Sequence, residues 1–390
     1  MDSKEGYCNS RYGAFPELFF SFFLFIFLGL SLPGYVLGQG LMSHGDSEKV
    51  DPKSVGCLLP LSGEYGLIGK KALKGVLMAA GIFQSNEGFQ IAVRDYNNGR
   101  GDEEHKIALE EMVARDRISV IIGPILSSSI REISESIKSL KIPTLVFPLS
   151  EDVSDGNPYL IKFSYSIENQ ARVIARYAVQ DARIKTLGIL YPKTRLGELS
   201  KEAFIKSVRE YGGNIIYIGS YDTRNLDISG EIKWMKSRHP DAVFVPDSAT
   251  HSAQLIKKLR QEDSLRDLIF LGPNTWNSQN FLNALGTETD GIIFTDFFFS
   301  GTENWIDFNA KFRAIFGEEP GFLEYQVYEA TNLILQILKT PIQRREDIKE
   351  RLLSFCNPLF YINENVDGSL IISPKPLILT LNGRKIVKVE

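Results

Sequence analysis

Short apolar runs alternate with longer amphipathic stretches along most of this chain. The runs at 54–61, 89–96, 119–123 and 143–148 are rich in Val, Ile and Leu and read as β-strands. A second series follows at 186–191, 215–221, 242–247, 268–272 and 291–298. Between them, helical periodicity marks 67–83, 103–115, 128–140, 169–182, 198–211, 252–261, 304–316 and 325–339. Strands that alternate with helices predict parallel sheets covered on both faces. The strands are continuous apolar runs rather than alternating ones, which agrees with burial on both sides.

The alternation breaks at 157–166, where Pro158-Tyr159-Leu160-Ile161-Lys162-Phe163 passes without a helix and a fresh strand–helix series begins. Two α/β lobes are therefore expected instead of one large sheet. The stretch 370–389, centred on Asn382-Gly383, reads as a β-hairpin.

Residues 18–32 are almost wholly apolar, a length that suits a signal-peptide core better than a bilayer span. Val36 and Gly38 fit a cleavage site, but Asp2, Glu5 and Glu17 offset Lys4 and Arg11 in front of the core. Residues 1–38 are read as a signal peptide or an uncleaved N-terminal anchor, an upstream-misplaced start being a further alternative. Residues 39–52 form a polar linker. Export to the periplasm follows.

The 390 residues include 43% apolar and 24% charged positions, enough for a proper core. The net charge of −4 is spread along the chain, so no basic face exists for nucleic acid. Of the three cysteines, Cys57 sits in an apolar run, and a Cys57–Cys356 disulfide is left open. No CxxC pair or histidine cluster supports a metal, and no cofactor is expected. G-x-S-x-G, H-E-x-x-H and G-x-G-x-x-G are all missing, so no nucleophile or base can be named and a non-enzymatic role is expected.

In parallel α/β sheets, ligands bind beyond the carboxyl ends of the strands. The loop 60–70 after the first strand holds Ser62, but Gly63 and Gly69 are too far apart for a P-loop and Lys71 replaces the hydroxyl. Residues 95–106 miss the calcium-loop pattern at Arg100 and Lys106. Gly123-Pro124-Ile125-Leu126-Ser127-Ser128-Ser129 opens a helix, where free amides and hydroxyls suit a carboxylate. A plain serine cap is the blander reading of that loop. Ser150 lies in a second hydroxyl loop. Asp247 ends a strand of the second series and suits either a ligand ammonium or a helix cap. Tyr165 and Phe163 lie at the presumed lobe crossing and Phe297–Phe299 near the later one, as apolar walls or as core.

Val55-Gly56-Cys57-Leu58-Leu59-Pro60-Leu61-Ser62-Gly63, Gly69, Ala72-Leu73-Lys74-Gly75 and Ile121-Ile122-Gly123-Pro124 with Ser127-Ser128-Ser129 resemble Leu/Ile/Val-binding-type receptors. Ile142-Pro143-Thr144-Leu145 continues the likeness, which runs loosely to about Lys339. The resemblance implies the type I periplasmic-binding fold, two Rossmann-like lobes joined by three crossings. Lobe I is expected from 53–163 and 274–340, lobe II from 164–273 and 341–390. The likeness further implies Ser127, Ser128 and Ser150 on the carboxylate of an amino-acid-like ligand and Asp247 on its ammonium. A membrane permease is the implied partner. Leu196, before Gly197, stands where those receptors carry a ligand-contacting tyrosine. Leu271-Gly272-Pro273-Asn274-Thr275-Trp276-Asn277-Ser278 and Phe294-Thr295-Asp296-Phe297-Phe298-Phe299 resemble penicillin-binding-protein activators, which implies a peptidoglycan synthase as the alternative partner.

Overall fold

The computed structural model describes residues 51–83, 88–96, 102–148, 156–340, 342, 344–365 and 367–389, without the side chains of 102–104. The expected signal segment and most of the linker lie outside these residues, as does Ser150.

The first lobe starts with β1 (Ser54–Leu59), α1 (Gly66–Ala79), β2 (Gln90–Asp95), α2 (Asp102–Asp116), β3 (Val120–Ile122), α3 (Ser127–Ser139), β4 (Thr144–Val146) and β5 (Leu160–Phe163). The chain then enters α4 (Ile167–Arg176), whose last turn widens into a π turn at Tyr177–Asp181. A second series follows with β6 (Thr186–Pro192), α5 (Arg195–Glu210), β7 (Asn214–Tyr221), α6 (Ser229–Arg238), β8 (Ala242–Phe244) and α7 (Ala249–Arg260). It ends with β9 (Ile269–Gly272), α8 (Gln279–Leu285) and β10 (Ile292–Asp296). Next come α9 (Glu303–Phe316), α10 (Phe322–Leu338), α11 (Glu346–Ser354), β11 (Phe360–Glu364), β12 (Leu370–Pro374), β13 (Leu377–Asn382) and β14 (Lys385–Lys388).

The strands form two seven-stranded sheets, ordered β11-β12-β5-β4-β3-β1-β2 and β14-β13-β10-β9-β8-β6-β7. The first five strands of each sheet are parallel and follow the same order, as the repeated strand–helix pattern requires. Each sheet is covered on both faces. Val55, Val76 and Ile334 pack on one side of the first sheet, Leu58, Ile130 and Ile133 on the other. Val243, Ile256 and Phe281 cover one side of the second sheet, Ile174, Leu187 and Phe204 the other. The two-lobed, mostly parallel architecture is the expected one.

Three expectations need correction. Residues 274–298, assigned to the first lobe, carry β10, which pairs with β9 of the second sheet. Residues 341–374, assigned to the second, carry β12, whose Ile371 pairs with Lys162 of β5. The hairpin is also shorter than read: only β13 and β14 form it, through Asn382 opposite Lys385. In each case the strand is correctly apolar, but nothing in a short apolar run says which sheet it will join. Cys57 is buried and Cys356 exposed, both unpaired. Burial also pushes the Cys57 thiol well up, which suits a small core residue.

The turns after the first strand of each lobe are built alike. A Cβ at Gly69 would lie 1.9 Å from the Pro60 carbonyl oxygen, and one at Gly197 would lie 2.2 Å from that of Pro192. Only glycine lets each helix start pack this closely over the strand end. Gly69→Ala is expected to lower unfolding free energy by about 1–3 kcal/mol through overpacking. Gly230→Ala, in α6 with open space around the new methyl, is expected to raise it by about 0.4–1 kcal/mol. Urea unfolding of both variants checks the pair.

Candidate functional site

The chain passes between lobes three times, after β5, after β10 and after β12. Each passage leaves the carboxyl end of a strand parallel to its inner neighbour. Both sheets therefore turn their carboxyl edges toward the crossings, and the loops on those edges line the space between the lobes.

On the first lobe, β1 leads into the loop that holds Ser62, half-buried, with Leu61 N–H bound to Asp95 Oδ1 at 2.8 Å. After β3, Ser127 is the first residue of α3 and half-buried, Ser128 is exposed and Ser129 is buried. The residue that precedes α3 is Leu126, whose side chain cannot cap the helix. Ser62, Ser127 and Ser128 thus share the carboxyl edge of one sheet on neighbouring strands β1 and β3.

Tyr165 sits in the first crossing. Its ring lies 4.6 Å from Phe297 in the second crossing, 5.6 Å from Phe322 at the start of α10 and 6.1 Å from Phe163. Phe163 is 2% exposed and belongs to the core, and Tyr165 is half-buried against that core. Burial, then the charge of Asp296, pushes the Tyr165 hydroxyl well above its usual range, so it stays protonated.

On the second lobe, Asp247 lies just past β8. Its Oδ2 accepts from Tyr221 Oη at 2.6 Å and pairs with His251 Nδ1 at 3.1 Å, while Oδ1 accepts from the Ser248 amide at 2.6 Å. The helix cap is Ser248, whose hydroxyl accepts from His251 N–H at 3.4 Å, so Asp247 is released from that alternative. A carboxylate offers about four lone-pair sites. Three are used, which leaves one open. The spacing of four residues between Asp247 and His251, across the first turn of α7, is the sequence signal for this pair. His105 pairs instead with Glu132 in the first lobe.

The second crossing is braced by buried polar groups that sequence reading missed. Asp296 Oδ2 accepts from Asn277 Nδ2 at 2.5 Å, and Oδ1 accepts from the amides of Phe297 at 2.6 Å and Phe298 at 3.3 Å. Gln170 Oε1, on α4, accepts from Asn274 N–H at 2.9 Å and Thr295 Oγ1 at 3.2 Å. Among the described residues no group of three or more His, Cys, Asp or Glu could hold a metal. No helix among them is long and apolar enough to cross a membrane.

Residues 52–352 match the sequence model of a family described as periplasmic binding protein. The chain belongs to that family. A Brucella melitensis Leu/Ile/Val-binding protein homolog 3 is 18% identical over 62% of this chain and 67% of its own length. A Brucella suis Leu/Ile/Val-binding protein homolog 8 is 20% identical over 74% of this chain and 76% of its own. The penicillin-binding protein activator LpoA of an Enterobacter species is 27% identical over 34% of this chain, a stretch that is 17% of the activator. Among solved structures, a Rhodospirillum rubrum protein provisionally assigned as a branched-chain amino acid ABC transporter shares the fold with a TM-score of 0.74 at 15% identity. It covers 86% of this chain and 99% of its own. The substrate-binding protein LivJ of Streptococcus pneumoniae, solved with isoleucine, has a TM-score of 0.53 at 19% identity over 86% of this chain and 99% of its own.

Within this periplasmic binding protein, the buried carboxyl of Asp296 at the second crossing makes stability depend on pH. Burial pushes its carboxyl up to about 6, against the hydrogen bonds from Asn277, Phe297 and Phe298 that pull it down. A folded value above the unfolded one means that the protonated form fits the fold better. Its contribution to stability is full below about pH 4 and lost as the pH rises through about 6, by roughly 3 kcal/mol. Asp296→Asn, which cannot ionise, should remove that part of the pH slope. Urea unfolding of both proteins across this window measures the difference, and parallel slopes would refute the assignment.

Proposed function

We propose that the protein is an exported, non-enzymatic receptor that captures an amino-acid-like solute between its lobes and delivers it to a membrane permease. The observation that carries this reading is the placement of complementary groups on facing carboxyl edges. Hydroxyls and a helix start stand on the first lobe, and an oriented carboxylate stands on the second.

In this reading Ser62, Ser127 and Ser128 hold the ligand carboxylate with the free amides at the start of α3. Asp247 takes the ligand ammonium on its remaining lone pair, with Tyr221 and His251 holding the carboxylate in place. Tyr165 and Phe297 supply a wall for the apolar part of the solute, and Leu196, after β6, is 58% exposed. A ligand that touches both lobes binds the closed state more tightly than the open one and so shifts the hinge toward closure. Ser150 belongs to the proposed carboxylate set by resemblance alone. Localisation in the periplasm follows from the family and the apolar N-terminal segment.

The stretch of likeness to an activator of a penicillin-binding protein favours a second reading, in which the chain regulates a peptidoglycan synthase by direct contact. The two differ in whether the cleft must be filled.

A thermal-shift screen of the purified protein against the amino acids and small carboxylic acids tests the first reading. A ligand at a hundred times its dissociation constant stabilises by about 2.7 kcal/mol, which raises Tm by about 2 °C or more at this size. Ser128→Ala and Asp247→Asn should each weaken binding by about tenfold, the worth of a hydrogen bond to a charged group. A well-folded sample that responds to none of these compounds would sink the receptor reading, and binding to a peptidoglycan synthase would then be measured instead.

A further inference from the structure

A polar cavity lies in the first lobe, built wholly from first-lobe elements. It has a volume of about 220 Å³ and is lined from α9, α10 and the entry to β11. None of the cleft residues described above lines it. Glu329, Asn332 and Gln336 stand at i, i+3 and i+7 along α10, so they share one face, and Asn304 and Asp307 face them from α9.

The hydrogen-bond inventory of this cavity is lopsided. Glu329 accepts from Tyr325 Oη at 2.8 Å and forms no ion pair among the described residues. Asp307 is held by Lys311 at 2.7 Å, and Asn357 Oδ1 is held by the Leu359 amide at 2.7 Å. The carboxamides of Asn304, Asn332 and Gln336 make no hydrogen bond among the described residues, although all three line the cavity. No lysine or arginine lines it. The aromatic rings of Tyr328 and Phe360 complete the wall.

A carboxylate taken largely out of water without a cation is costly, and the carboxamides of half-buried Asn332 and of exposed Asn304 and Gln336 are accessible beside it. Here burial raises the Glu329 carboxyl above its usual range. An anion has no positive group to meet in this cavity. A divalent metal would need more carboxylates or histidines than are gathered here. A primary ammonium fits: it offers three donors, matched by the Glu329 carboxylate and the carboxamide oxygens, with aromatic faces beside it.

We propose that this cavity is a binding site for a small primary ammonium compound, with Glu329 as its counter-charge and Asn332 and Gln336 as hydrogen-bonding partners. The site is independent of the interlobe cleft, because its walls come from one lobe.

Ethanolamine, titrated into the full chain by calorimetry at neutral pH, is the probe. It is expected to bind with a dissociation constant on the order of millimolar or tighter, within the efficiency limits of so small a ligand. Glu329→Gln keeps the shape and removes the charge, and should weaken binding by tenfold or more. Asn332→Leu fills the cavity without touching the carboxylate and should do the same. Glycerol, similar in size but neutral, should bind at least tenfold more weakly than ethanolamine to the unaltered protein. Circular dichroism melts establish that both variants are folded. No ethanolamine binding, binding that survives both substitutions, or glycerol binding as tightly as ethanolamine would each overturn the proposal. Binding that survives both substitutions would place the amine in the cleft instead.

Discussion

Two sheets are held to one another by a tail divided between them. β12 closes on β5 of the first sheet and β13 closes on β10 of the second, with only Lys375 and Pro376 between. Neither lobe can complete its sheet without the other's chain passing through the same short connection. Because β5 and β10 also end at crossings, three connections leave from the carboxyl edges of the sheets. Those edges are where parallel strands expose their loops and helix starts. The hinge and the candidate site are thus consequences of the same topology.

The crossings differ in what stiffens them. In the first, Ser164 N–H binds the Ile372 carbonyl at 3.0 Å, which ties the passage to the third crossing's incoming strand. Asp296, Asn277 and Gln170 anchor the second in a small buried polar network. Such networks specify one arrangement only when every member is satisfied. On the outer side, Arg172 of α4 stands over the ring of Tyr361 on β11, with Lys375 also facing that ring. The lobes are therefore joined by directional contacts at the crossings.

The strand–helix alternation was legible because apolar runs and 3.6-residue periodicity survive as local signals. Strands β1 to β4 and β6 to β10 lie within a few residues of their expected bounds, and the loops that hold Ser62, Ser127, Ser128 and Asp247 fall at the expected strand ends. Less was legible where short elements carry little periodicity. α6, α8 and α11 were not anticipated, and neither was β11, whose sequence Phe-Tyr-Ile-Asn-Glu mixes apolar and polar residues. His251 and Asn277 looked unremarkable in sequence because their roles depend on partners at strand ends brought close only by the fold.

By itself, the sequence determined the class of the fold, the repeated order of strands and helices, and the edge on which function is sought. Those follow from local patterning, which each segment carries independently of the rest. The tertiary structure alone decided that 274–298 belongs to the second lobe and 341–374 to the first. It also decided that Tyr165 meets Phe297 and Phe322, and that Asp247 is already held by Tyr221 and His251. Strand partners and side-chain contacts between distant segments depend on which apolar faces find one another. An apolar run is compatible with any sheet that will bury it.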